Sequence, residues 1–187
     1  MAAPSHSQLP VSNAQLGVVM LIAAETMLFV GLIGAYVMFR VGSVAWPSAR
    51  LYLPVGVTFL NTLVLLASSY TMCRAQYAAR EQAQPTLVRR LTLTAALGVS
   101  FLTLQGYEWL QLIHDGLTIS TGIYGATFYT LIGCHALHVL AAVTWLGVVL
   151  SLALRRRATS EHIAACGMYW QYVCALWLAL FVLVYLN

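Results

Sequence analysis

A chain of 187 residues has the length of one domain, but 61% of it is hydrophobic and only 7% is charged, with a mean hydropathy of +0.83. A soluble domain carries roughly a quarter charged residues to cover its surface, so this composition excludes a water-soluble globule and puts the surface in lipid. The net charge of +4 comes with nine basic residues that are all arginine, set in short segments without aromatic interleaving, which excludes a nucleic-acid-binding face.

The first 15 residues hold no arginine or lysine, and the apolar run behind them contains Glu25 and is too long for a signal peptide. It reads as a retained helix. Crossing the hydrocarbon core takes about 20 apolar residues. Five stretches qualify in chain order: Leu16–Phe39, Leu51–Cys73, Leu91–Ile113, Tyr124–Leu154 and Ala165–Leu186. The fourth is overlong and is expected to tilt or to run past the interface. The stretch from Arg74 to Arg90 contains Pro85 and four arginines and reads as a solvated loop. No polar segment is long enough for a further domain, and no inverted repeat is visible. The fold class is therefore all-α, a single transmembrane domain of five helices over residues 1–187.

Orientation follows from the arginines. Arg74, Arg80, Arg89, Arg90, Arg155, Arg156 and Arg157 share the side of the N-terminus, against Arg40 and Arg50 on the other. The positive-inside rule puts the N-terminus in the cytoplasm and the C-terminus outside. Cys73, Cys134, Cys166 and Cys174 form no C-x-x-C pair, and they read as small packing residues.

An ionisable side chain within a span costs a few kcal/mol and demands a partner or a purpose. The candidates are Glu25, Glu108, His135 and His138, with Asn61, Gln105 and Gln171 beside them. Glu25 stands about nine residues into its span, roughly 14 Å at helical rise and near the midplane. His138 reaches a similar depth on the fourth span, and His135 lies one turn nearer the outside. Glu108 is close to the outer end of the third span, with Gln105 and Gln111 three residues to either side. One polar seam from Glu108 and Gln105 through His135 to His138 and Glu25 is geometrically allowed.

Two readings of these residues are open. His135-x-x-His138 could ligate a metal or haem, but a third ligand is wanted, and His6, His114 and His162 fall in a tail, at a helix end and in a loop. The plainer reading bonds both imidazoles to an acid or a backbone carbonyl. Glu25 is either a proton-relay member, a lipid or partner contact, or an acid that fixes helix packing. Trp46, Tyr52, Tyr77, Trp109 and Tyr124 lie near span ends, as an interfacial belt requires. Trp145, Trp170 and Trp177 read as packing. The start of the fourth span, Gly122-Ile-Tyr-Gly125, has two small residues that permit close backbone approach.

Five segments in order resemble the subunit III family of haem-copper terminal oxidases. They are Ala24-Glu25-Thr-Met-Leu-Phe29; Leu60-Asn61-Thr62 with Leu66-Ala67-Ser68-Ser69; Leu104-Gln105-Gly-Tyr-Glu108-Trp109; Thr118-Ile-Ser-Thr-Gly-Ile-Tyr124-Gly-Ala-Thr-Phe-Tyr129; and Gly133-Cys-His135-Ala-Leu-His138-Val139. The likeness is to a short five-helix bacterial form of the family. The last helix departs from it: Tyr169-Trp170-Gln171-Tyr172-Val173-Cys174 carries Gln171 and Cys174 where the family has a histidine and an aspartate.

The resemblance implies an accessory subunit with no catalytic residue, metal or redox cofactor of its own, haem and copper belonging to partner subunits. Its expected partners are oxidase subunits I (the main contact) and II, structural phospholipids, and in some settings a larger respiratory supercomplex. The expected location is a prokaryotic inner membrane. Glu25, Glu108, His135, His138, Gln105 and Asn61 would form an internal polar network, and Arg40, Arg74 and Arg155 would meet lipid headgroups. Quinol oxidases and a nitric-oxide-reductase-associated protein of the same family are alternative settings. A small haem- or metal-binding membrane protein and a proton-coupled carrier are the alternatives of another class.

Overall fold

The computed structural model describes residues 12–43, 46 and 55–186. His6, Arg50 and the first residues of the second expected span lie outside them. The described residues form five long helices with one short 3-10 turn, Ile119–Thr121, and no strand. The helices are α1 (Asn13–Gly42), α2 (Val55–Arg80), α3 (Gln84–His114), α4 (Ile123–Leu154) and α5 (Ser160–Tyr185), and all five are long and apolar enough to cross a membrane.

The helices outrun the apolar stretches that announce them. The 32 residues of α4 rise about 48 Å, well beyond a hydrocarbon core of about 30 Å. The expected loop from Arg74 to Arg90 is the main correction. Only Glu81, Gln82 and Ala83 link α2 to α3, and the arginines sit on the helix ends that flank this turn. Hydropathy marks where lipid ends, whereas backbone hydrogen bonding continues into the headgroup layer. Pro85 starts α3 rather than breaking a helix, since its missing N–H is one the first turn does not need. The turn closes with Gln82 in the left-handed region (φ 56°), the Ala83 N–H donating to the Ala78 carbonyl at 3.0 Å. Arg156 (φ 55°) repeats this device after α4, and Gly116 (φ 93°) after α3.

The starts of α1 and α5 are capped. The Ser12 hydroxyl accepts from the Gln15 N–H at 3.3 Å, and the Gln15 side chain returns a bond to the Ser12 N–H at 3.2 Å. Thr159 and His162 make the same reciprocal pair at the head of α5, so His162 is a capping residue within a helix, not a loop residue.

Helices α2, α3, α4 and α5 pack in a ring in which each touches two neighbours, and α1 lies along α4 and α5 at the edge. Along its whole length α1 buries only Val18, Phe29 and Tyr36. The core is thickest on α5, where Trp170 and Trp177 are 1% exposed. Trp170 fits against Gly98 of α3. A Cβ there would stand 2.5 Å from the indole Cη2, while Trp170 Nε1 donates to Ser68 Oγ on α2 at 3.2 Å. Gly98→Ala is expected to cost roughly 1–3 kcal/mol by overpacking, read as a lowered unfolding midpoint in detergent. An unchanged midpoint would mean that α3 and α5 are free to separate.

Gly125 is needed for a different reason: a Cβ there would lie 2.2 Å from the backbone oxygen of Thr118. This approach seats the 3-10 turn against α4, and Tyr129 holds it by donating to the Leu117 carbonyl at 2.8 Å. Tyr124 does not serve in an interfacial belt. It is buried, edge-on to Trp46 with centroids 5.0 Å apart and stacked near Phe128.

Candidate functional site in the bundle interior

Helix geometry decides which polar side chains meet. Glu108 points from α3 toward α2, where the Thr58 hydroxyl donates to both carboxyl oxygens at 3.2 and 3.0 Å. One turn back on α3, Gln105 Nε2 donates to Glu108 Oε2 at 2.9 Å and reaches the Tyr185 hydroxyl of α5 at 3.5 Å. Glu108, Gln105 and Thr58 are at most 3% exposed. Gln111 does not join them; its amide donates to the Tyr107 hydroxyl on the outer face of the helix. Gln105 and Gln111 stand about 60° to either side of Glu108 around the helix, and the bundle covers only the flank that carries Gln105, leaving Gln111 exposed.

A second polar group lies deeper, between α1, α4 and α5. The Tyr169 hydroxyl donates to Glu25 Oε1 at 3.0 Å, and His138 Nε2 stands 3.7 Å from the same oxygen. His138 Nδ1 lies 2.7 Å from the Cys134 carbonyl, one turn back on α4. A carbonyl only accepts, so Nδ1 carries the proton, and Nε2 can offer one to Glu25 only in the imidazolium form. The Glu25 and His138 side chains are 12% and 19% exposed, which makes this the one of the two groups that opens on the bundle surface. Thr26 and Tyr172 extend it, their hydroxyls 3.3 Å apart.

His135 lies between the groups but bonds to neither. Its ring is stacked on Trp177 at 5.3 Å and lies edge-on to Phe29, and both of its nitrogens lack a hydrogen-bond partner among the described residues. Phe29 also packs edge-on to His138 at 5.1 Å. The polar side chains thus form two sets with an aromatic layer between them, and no hydrogen bond among the described residues joins the sets.

Asn61 sits in the α2–α3 seam and donates from Nδ2 to the Phe101 carbonyl at 3.2 Å. Gln171, where the family resemblance leads one to expect a histidine, clamps α5 to α2. It bonds the Ser69 hydroxyl, donates to the Ser69 carbonyl at 2.9 Å and reaches Cys73 Sγ at 3.2 Å. Cys174 is buried. Arg74 and Arg155 are exposed, on α2 and at the end of α4, while Arg40 is half-buried in the last turn of α1.

Thr58, Tyr169 and Tyr185 were not singled out by sequence reasoning, although each supplies a hydroxyl to one of the acids or to its amide neighbour. The signal available was weak: a hydroxyl in an apolar helix satisfies its own chain as readily as a neighbour, as Thr62 and Thr130 do here with carbonyls four residues back. Among the described residues, no three histidine, cysteine or acidic side chains are grouped so as to hold a metal ion.

The family model for cytochrome c oxidase subunit III matches residues 3–187. The chain belongs to the cytochrome c oxidase subunit III family. A cytochrome c oxidase subunit 3 of a Synechocystis strain is 36% identical over 182 residues, covering 91% of this chain and 74% of the relative. The Oncorhynchus mykiss protein of the same name is 34% identical over 191 residues, covering 96% and 72%. The Sus scrofa protein is 32% identical over 190 residues with the same coverage. Subunit III is a component of a haem-copper oxidase, and this chain is a multi-pass membrane member of that family.

Proposed function

We propose that the chain is an accessory, redox-inert subunit of a cytochrome c oxidase in a prokaryotic inner membrane, with its N-terminus in the cytoplasm. It supports subunit I, its main contact, beside subunit II, while haem and copper in those partners carry the electrons. Its phospholipids would be held in part by Arg40, Arg74 and Arg155 at the helix ends. By supporting subunit I it would also sustain that neighbour's proton uptake.

The observation that carries this reading is how the ionisable side chains are used. Glu25, Tyr169 and His138 tie the edge helix α1 to α4 and α5. The acid on α3, Glu108, is engaged with α2 and bridged through Gln105 to α5. Such side chains hold helices together, as is expected of a supporting subunit. The partly open Glu25 group also lies on α1, whose outer surface is apolar and has no neighbour among the described residues, and there a large membrane partner would pack.

Glu25→Gln in the assembled oxidase tests the reading. The amide keeps the shape and can still accept from Tyr169, but it replaces the carboxyl group that faces His138 Nε2 at 3.7 Å. The expected outcome is a near-normal initial rate of oxygen consumption, with faster loss of activity during turnover or faster release of the subunit in mild detergent. Complete loss of the initial rate in a normally assembled complex would overturn it.

A further inference from the structure

The caps of α1 and α5 have the same design but differ in one residue of consequence. At the head of α1 the third helical position is Gln15, whose Oε1 accepts from the Ser12 N–H at 3.2 Å. At the head of α5 that position is His162. Its ring Nδ1 accepts from the Thr159 N–H at 3.3 Å, and Thr159 Oγ1 accepts from the His162 N–H at 3.3 Å. A backbone N–H only donates, so Nδ1 is bare and the proton of the neutral ring sits on Nε2. An amide oxygen accepts at any pH. An imidazole nitrogen accepts only until it is protonated, and histidine is the side chain that ordinarily changes charge between about pH 5 and pH 8.

Protonation would act on this turn in three ways, all of one sign. It takes the acceptor from the Thr159 N–H. It puts a positive charge at a helix N-terminus, where the aligned peptides already present their positive end. It also adds a cation to a turn that carries Arg155, Arg156 and Arg157, all exposed. The opposing group is Glu161, but residues at i and i+1 do not face each other on a helix, and His162 makes no ion pair among the described residues. From the neighbouring helices, Arg80 of α2 and the uncharged Gln15 of α1 share with Ser160 and Glu161 a pocket of about 220 Å³, so the one charge they bring is again positive. His162 is exposed, and its proton exchanges with water without a path through the bundle.

We propose that the start of α5 is a pH-sensitive catch. With His162 neutral, the Thr159–His162 cap is closed. When Nδ1 takes up a proton the cap opens, and the first turn of α5 loosens together with the turn that joins it to α4. The cap is complete above the range in which histidine titrates and is lost as the pH falls through that range. Ser160, Glu161, Ile163 and Ala164 form one wall of the pocket shared with Arg80, so the loosening reaches that pocket as well. That the catch answers to the cytoplasmic pH rests on the orientation proposed above, whereas its response in detergent does not.

The test is hydrogen exchange at single-amide resolution in the intact oxidase complex in mild detergent, corrected for the intrinsic pH dependence of exchange. The amides held by the cap are those of Thr159, His162 and Ile163. In the parent their protection should fall roughly three- to tenfold between about pH 8 and pH 5, the size expected from loss of one cap and a cation at a helix start. His162→Gln puts an amide oxygen in place of the ring nitrogen and should hold protection constant over that range, as should the Ser12–Gln15 cap of α1 in the parent itself. A flat profile in the parent, or the same fall in the parent and in His162→Gln, would overturn the proposal. So would nitrogen NMR that finds the proton of the neutral ring on Nδ1. If His162→Gln does not assemble, the α1 cap in the same sample is the reference, and equal falls at the two caps overturn the proposal.

Discussion

Trp177→Ala is expected to destabilise the bundle by roughly 3–5 kcal/mol, the usual cost of emptying a fully buried tryptophan site. The indole is 1% exposed and is where three helices meet α5. Its Nε1 donates to Thr62 Oγ1 on α2 at 3.0 Å. Phe101 of α3 meets it edge-on at 5.0 Å, and His135 of α4 stacks on it at 5.3 Å. Removing the ring opens a cavity and also uncovers an imidazole whose nitrogens have no other partner among the described residues. Trp177→Phe keeps an aromatic face for Phe101 and His135 and gives up the bond to Thr62, so it should cost only about 1–2 kcal/mol. Leu178→Ala, at a residue 36% exposed, is the control and should fall within about 0.5–1 kcal/mol of the parent. Thermal unfolding in detergent, or denaturation by increasing sodium dodecyl sulfate, ranks the three. Equal effects for Trp177→Ala and Leu178→Ala would show that α5 is not the packing centre.

Much of this architecture is legible in the sequence, because lipid imposes a single strong rule. A spanning helix needs an apolar run of known length, and five such runs give five helices. The ends are less legible for the same reason. Past the hydrocarbon edge the apolar signal stops, while the hydrogen-bonded backbone does not, and so α2 and α3 extend through arginine-bearing segments that read as a loop. Left-handed closures at Gln82 and Arg156 carry no glycine to announce them, in contrast to Gly116.

The polar interior is legible in part. Depth along a helix can be counted, so Glu25 and His138 could be set at one level, and Glu108 and Gln105 on one face. Rotation about the helix and choice of neighbour cannot be counted. The partners of the acids are threonine and tyrosine hydroxyls, which look like ordinary packing in a list of residues. His135 illustrates the limit from the other side. Its spacing from His138 suggests a shared role, yet a three-residue step turns the side chain by about 60°, enough to set one imidazole beside Glu25 and the other against Trp177.

Replacing Glu108 separates a bonded group from a merely buried one. Glu108→Leu should cost roughly 2–4 kcal/mol, because it takes away the carboxyl oxygens that accept from the Thr58 hydroxyl and from Gln105 Nε2, leaving the amide its longer 3.5 Å approach to Tyr185, and a lost buried hydrogen bond costs about 1–3 kcal/mol. Part of that is returned by the better solvation of leucine in an apolar core, and measured interhelical hydrogen bonds in membranes average only about 0.6 kcal/mol, so the lower half of the range is the firmer expectation. Glu108→Gln retains a carbonyl oxygen that can accept from Thr58 at its present 3.0–3.2 Å, and it should cost less than half as much as the leucine variant. Thr58→Val removes the same bonds from the donor side, so the double variant Thr58→Val/Glu108→Leu loses once what the two single changes count twice. Its cost should therefore be smaller than their sum by about 1 kcal/mol, the size of coupling found between residues in contact. Strict additivity would mean that Thr58 and Glu108 act independently. Gln105 would then hold the acid alone, and α2 would owe its place beside α3 to Asn61 and the hydroxyl pair Thr71–Thr94, 2.8 Å apart, rather than to the carboxyl.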